Sequence, residues 1–181
     1  NAGVALSIAD KLDSIAGFFA IGIQPTGSQD PYALRRQALG ILSILMDRKV
    51  AVDIKVLIEH ALDNYSELDF NKEEVVEQIM NFFNERVKNL FKDLGIRYDV
   101  VDAVLSSDIN DVSDMHMRAL ELNNWLEKDE LVEMLTAFNR VSTLAQKAES
   151  DKIDESLLKE DAEIKLYNEF KQVKVKVNEL L

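Results

Sequence analysis

Apolar residues return every three or four positions along almost the whole chain, and only two prolines and six glycines interrupt them. That period predicts an all-α fold built as multi-helix bundles. The clearest element runs from about Asn71 to Gly95. Asn71 is a natural N-cap with Glu74 at the capping-box position, and Gly95 is a natural C-terminal stop. Within it Val75, Ile79, Phe82, Phe83, Val87, Leu90, Phe91 and Leu94 form one apolar stripe, leaving Glu77, Asn81, Glu85, Lys88 and Lys92 elsewhere. Such a helix packs one face on a core. A second helix holds Ala9 to Phe19, and the turn-rich run Gln24-Pro25-Thr26-Gly27-Ser28 separates it from a third. Asp30 and Pro31 are expected to open that third helix, as capping residue and first helical residue, and it carries ALRRQALGILSILM. Further helices are predicted near residues 53–65, 99–106, 112–127, 128–148 and 155–181, with loops at 106–110 and 150–154. The polar interruption at residues 106–111 is the best place for a domain boundary.

Length and composition narrow this picture. With 181 residues, 47% of them hydrophobic, the chain is long enough for one or two domains with their own cores. It contains no cysteine, which excludes disulfides, zinc-thiolate sites and cysteine nucleophiles. No apolar run approaches the roughly 20 residues that span a bilayer, and the amino terminus lacks signal-peptide character. A soluble, cytoplasmic protein without a membrane partner is expected. The chain starts at Asn1 rather than Met and ends on an apolar helical pattern, so both ends read as cut.

The formal net charge of -12 argues against general nucleic-acid binding, because affinity for a polyanion comes largely from Lys and Arg. The surplus is uneven. Residues 1–50 hold five Lys/Arg against four Asp/Glu, whereas residues 51–150 hold ten against twenty-one. RNA contact, if made, must come from a few basic residues on selected faces.

Two such places stand out. Arg35 and Arg36 lie side by side in so acidic a chain, yet point in different directions. Arg35 shares a stripe with Leu39, Leu42 and Met46, which predicts a packed stem and a head paired with a carboxylate such as Asp10 or Asp13. Arg36 shares its stripe with Gly40, Ser43 and Asp47, a small-residue face that admits either a neighbouring helix or a ligand backbone. Its guanidinium fork suits phosphate. The second place is the helix over 128–148. Its core stripe is expected to be Leu131, Leu135, Phe138, Val141 and Ala145, and opposite it run Glu133, Thr136, Arg140, Thr143 and Lys147. Hydroxyls between two cations suit a single-stranded RNA loop, and equally an ordinary solvated face.

Catalytic patterns are otherwise missing. His60 and His116 stand far apart in sequence and away from metal-ligand spacing, each expected as a surface or partly buried helix residue. There is no Walker loop, dinucleotide-binding glycine pattern or nucleophile elbow. Glu73-Glu74 and Asp129-Glu130 fall at helix starts, where they favour the dipole. No catalytic residue and no metal site is expected.

One run is far more specific. ADKLD at Ala9 to Asp13, GFFAIG at Gly17 to Gly22, PTGS at Pro25 to Ser28 and DPYALRR at Asp30 to Arg36 closely resemble the bacterial glycyl-tRNA synthetase beta subunit. RYDVVDAVLSS from Arg97 to Ser107, NRVSTLAQK from Asn139 to Lys147 and LLKEDAEIKL from Leu157 to Leu166 continue the resemblance in family order. It implies a carboxy-terminal fragment: the end of an HD-like helical domain over residues 1–110, then a DALR-type helical anticodon-binding domain over 111–181, truncated at its end.

The resemblance also implies a role and partners. The Asp10-Lys11 pair resembles the closing helix of an HD phosphohydrolase domain, without the upstream histidine elements that a working metal centre needs. Arg118 falls where the family carries an arginine on the first helix of the anticodon-binding domain. Arg140, Ser142 and Lys147 match the family pattern KRVSNILAK, while Asn139 replaces its Lys and Thr143 its Asn. The implied function is anticodon-side recognition of glycine tRNA for glycine-tRNA ligase. Arg118, Arg140, Thr143 and Lys147 are the candidate tRNA-binding residues, and Arg36 is a backbone contact. The fragment itself carries no active site or cofactor; ATP and Mg are used by a separate catalytic alpha subunit, its expected partner. The alternatives are a helical scaffold that docks the alpha subunit, and the remnant of a metal-dependent phosphohydrolase.

Overall fold

The longest helix shows how local sequence sets an element here. Asn71 stands in extended conformation before it, and its side chain accepts a hydrogen bond from the Glu74 amide at 3.3 Å. This satisfies one of the free amides of the first turn. At the other end Gly95 takes φ 81°, and the Ile96 and Gly95 amides donate to the carbonyls of Phe91 and Lys92. That pairing is a Schellman ending, which needs a left-handed residue after the helix.

The structure, a computed structural model, describes residues 2–26, 29–107, 110–126, 128–148 and 153–180, with only the backbone of Leu180. In chain order the helices are α1 (Ala2–Ala20), α2 (Leu34–Asp47), α3 (Ile54–Asp63), α4 (Lys72–Asp93), α5 (Tyr98–Leu105), α6 (Val112–Trp125), α7 (Asp129–Ala145) and α8 (Asp161–Leu180). A 3-10 turn, Glu155–Leu157, precedes α8. No strand occurs among the described residues, so the all-α expectation holds.

Residues 1–132 form one compact unit and residues 133–181 another. In the first, α1 packs on α2, α3 and α4, and α2 also meets α4 and α6. α5 lies against both α4 and α6. Ile15, Phe19, Ile41, Leu42, Ile58, Ile79, Phe83 and Phe91 are fully buried where these helices meet. Each contributes about 1.5–3 kcal/mol through lost water contact. Gly17 allows the close approach of α1 to Tyr65, since a Cβ there would stand 2.6 Å from the Tyr65 hydroxyl. That hydroxyl donates to the Asp13 carbonyl at 3.1 Å.

α2 begins later than Asp30-Pro31 predicted. Pro31 and Tyr32 lie in a turn, Ala33 takes the left-handed conformation at φ 58°, and the helix starts at Leu34. Asp30 still serves the helix end, because its carboxylate accepts from the Arg35 amide at 3.1 Å across that turn. At the far end of α2, Lys49 occupies a left-handed position at φ 49°, with the Val50 amide on the Leu45 carbonyl and its own amide on Met46. A side chain costs roughly 1–2 kcal/mol in that region, partly offset by glycine's greater unfolded-chain entropy. Lys49→Gly is therefore expected to stabilise the first unit by about 0.5–1 kcal/mol, read as a raised urea midpoint. An unchanged or lowered midpoint counts against this account.

The polar stretch at 106–111, expected as a boundary, ties α6 back to α3. The Ile54 amide donates to the Asn110 carbonyl at 3.1 Å, and Asp53 and Asp111 form an antiparallel bridge. Each of these aspartates caps its own helix. A run of turn residues marks a change of direction in either case, and here the compact unit continues through α6 to Val132.

In the second unit the helix expected over 155–181 is broken. Asp154 caps the 3-10 turn through the Ser156 amide at 3.0 Å, and the Glu163 carboxylate accepts from the Lys159 and Glu160 amides to start α8 afresh. Glu155 takes hydrogen bonds from the Tyr167 hydroxyl and Lys171 Nζ, both at 3.0 Å. The Lys171 and Tyr167 bonds hold its carboxyl below the usual range. The core stripe predicted for α7 is not a core. Leu131, which belongs to the first unit, is buried, but Leu135, Phe138 and Val141 are 45%, 65% and 64% exposed, and Ala145 is exposed as well. No described residue from 133 onward is buried. Periodicity marks the face of a helix that seeks cover, and it does not supply the covering element.

Candidate nucleic-acid interface

The two arginines of α2 separate as their phases predict. Arg35 is half-buried, and its guanidinium donates to the carbonyls of Gln29 at 3.0 Å and Pro25 at 3.3 Å. These loop carbonyls stand where a carboxylate of Asp10 or Asp13 was expected, so Arg35 pins the turn-rich connection between α1 and α2. Arg36 is exposed. On its small-residue face, a Cβ at Gly40 would stand 3.3 Å from the Lys11 side chain of α1, so that part of the face receives a neighbouring helix.

Arg86, on α4, joins this region and was missed from the sequence. Its guanidinium lies 3.9 Å over the Phe82 ring and donates to the Phe82 carbonyl at 2.7 Å. Burial, and next the nearby Arg35, lower its pKa, while Asp30 acts in the opposite direction. The signal was the four-residue spacing of Phe82 and Arg86, which stacks the two along one helix face.

Arg118, on α6, donates through Nε to the Asp114 carboxylate one turn earlier, at 2.8 Å. It borders a groove of about 510 Å³ between α5 and α6 that also holds Leu122, Trp125 and Glu121. With Asp114 and Glu121 beside it, this face carries little net attraction for phosphate.

The polar stripe of α7 is the opposite case. Arg140, Thr143 and Lys147 are all exposed. The Thr143 hydroxyl donates to the Asn139 carbonyl at 2.8 Å, back along its own helix. Neither Arg140 nor Lys147 has an ion-pair partner among the described residues. Arg140 and Lys147 are two turns apart on one side of the helix, about 10 Å along its axis. Of the five candidate tRNA-binding residues, these three share one surface, while Arg36 and Arg118 lie on separate helices of the first unit.

Asp10 is exposed on α1 and borders an apolar groove together with Asp13, Arg48, His60 and Asn64. The Lys11 ammonium turns away from it to the Ser7 hydroxyl at 2.8 Å. Among the described residues no three His, Asp or Glu side chains stand close enough to share an ion. His60 is exposed, 3.8 Å from Asp63. His116 is half-buried, its ring 5.6 Å from that of Phe91, and burial lowers its pKa while Asp47 opposes the shift.

The depressed pKa of His116 makes stability depend on pH. Above about 6.5, the ordinary histidine value, both states are neutral there. Below it the unfolded chain takes up the proton first, so this contribution is lost as pH falls through 6.5 towards the lower folded value. His116→Gln should thus lose less stability than the wild type between pH 7.5 and 5.5, by paired urea titrations. Equal losses would remove His116 as the cause.

Comparison with known proteins gives these faces their context. The family described as glycyl-tRNA synthetase beta subunit matches residues 1–106. The chain is 99% identical over all its 181 residues to the glycine–tRNA ligase beta subunit of Clostridioides difficile, covering 26% of that protein. It is 42% identical to the corresponding subunit of Desulforamulus reducens, with 99% of the chain and 26% of that subunit aligned. With Syntrophomonas wolfei the identity is 41%, over 89% of the chain and 24% of the relative. The chain thus spans about a quarter of the length of the curated relatives it matches, and no described helix is long and apolar enough to cross a membrane. The residues that match cover more than half of the chain and include the arginine-pinned turn between α1 and α2, so the chain belongs to the glycyl-tRNA synthetase beta subunit family.

Proposed function

We propose that this chain serves anticodon-side recognition of glycine tRNA within a glycine–tRNA ligase, chiefly through α7 of its second unit, with no chemistry on this chain. The observation that carries the reading is the exposed Arg140, Thr143 and Lys147 face of α7, whose two cations lack carboxylate partners among the described residues. A guanidinium and an ammonium with a hydroxyl between them suit the phosphates and splayed bases of a single-stranded loop. Arg36 is assigned a backbone contact from its exposed place on α2. Arg118 takes a lesser role, since RNA must compete with Asp114 for its guanidinium. Aminoacylation, with ATP and Mg, is assigned to a catalytic alpha subunit.

A second reading is supported by the bare apolar side of α7 and α8, where Phe138, Val141, Leu166 and Phe170 are exposed. Exposed apolar stripes of this extent fit a protein contact, and the reading is a scaffold that docks the alpha subunit. Titration of labelled glycine tRNA, native and with an altered anticodon, against the chain at rising salt separates the two. Anticodon-sensitive binding that weakens with salt is expected. Equally poor binding of both tRNAs, alongside tight binding of the alpha subunit, would give the scaffold reading the place of the first.

A further inference from the structure

We draw no further inference here: the strongest candidate, the apolar groove of about 1060 Å³ between α1, α3 and the connection from α2 to α3, lined by Leu6, Ile8, Val50 and Leu57, is an unpartnered surface, and nothing in the structure shows what covers it.

Discussion

Phe91→Ala is expected to destabilise the first unit by about 3–5 kcal/mol, the range for emptying a buried aromatic site. Phe91 is fully buried. Its ring faces His116 of α6, and its carbonyl accepts the Ile96 amide that closes α4. The cavity would therefore lie where α4 holds α6, and the loss should appear both as a lower urea midpoint and as faster hydrogen exchange in α6. Because a domain of this size has only some 5–15 kcal/mol to lose, Phe91→Leu, which leaves a smaller cavity, provides a milder companion with a smaller loss. Phe138→Ala, on α7, is the contrast: its ring is already 65% exposed, and a change within about 0.5 kcal/mol is expected. Similar losses at the two positions would show that Phe138 is covered in solution and that the exposed stripe of α7 is misassigned.

That contrast also marks what was legible in the sequence. α4 was readable from end to end because its determinants are local: a capping side chain, a periodic stripe, and a glycine where the backbone turns left-handed. α7 was readable as a helix for the same reason, yet its stripe holds one buried residue, because burial depends on a second surface that no local pattern encodes. Arg35 shows the same limit in polar form. Its half-buried stem followed from helix phase, but the acceptors are loop carbonyls brought near by the turn at Pro31 to Ala33. The start of α2 was misplaced because Asp30 followed by Pro31 fits a helix opening and an isolated turn equally well. Two contacts are legible from spacing alone: the Asp114 and Arg118 pair and the Phe82 and Arg86 stack both lie four residues apart on a helix. For the candidate site, sequence placed Arg140, Thr143 and Lys147 on one side of α7, and the structure adds that they are exposed. Arg118 differs from them because its charge is engaged by Asp114, a partner that the four-residue spacing already offers.

Arg140→Gln with Lys147→Gln, introduced together into the full-length beta subunit, is expected to weaken glycine tRNA binding roughly 25-fold at about 0.1 M salt. The figure follows from counterion release: a single-strand phosphate contact contributes a slope of about 0.7 in log affinity against log salt, or about fivefold per contact at that concentration. The slope itself should fall by about 1.4, a signature that misfolding does not produce. Two controls make the number specific. Lys165→Gln with Lys174→Gln removes the same charge from α8 and should act more weakly, since only the α7 cations are assigned phosphates. Arg118→Gln should cost less than either α7 change alone, because its guanidinium already rests on Asp114. If the α8 pair weakens binding as much as the α7 pair, the effect is general electrostatics and α7 has no special place in recognition. If neither pair changes the slope while the alpha subunit is still held, the cations of the second unit are solvated surface. The exposed apolar faces of α7 and α8 then become the functional side of these helices.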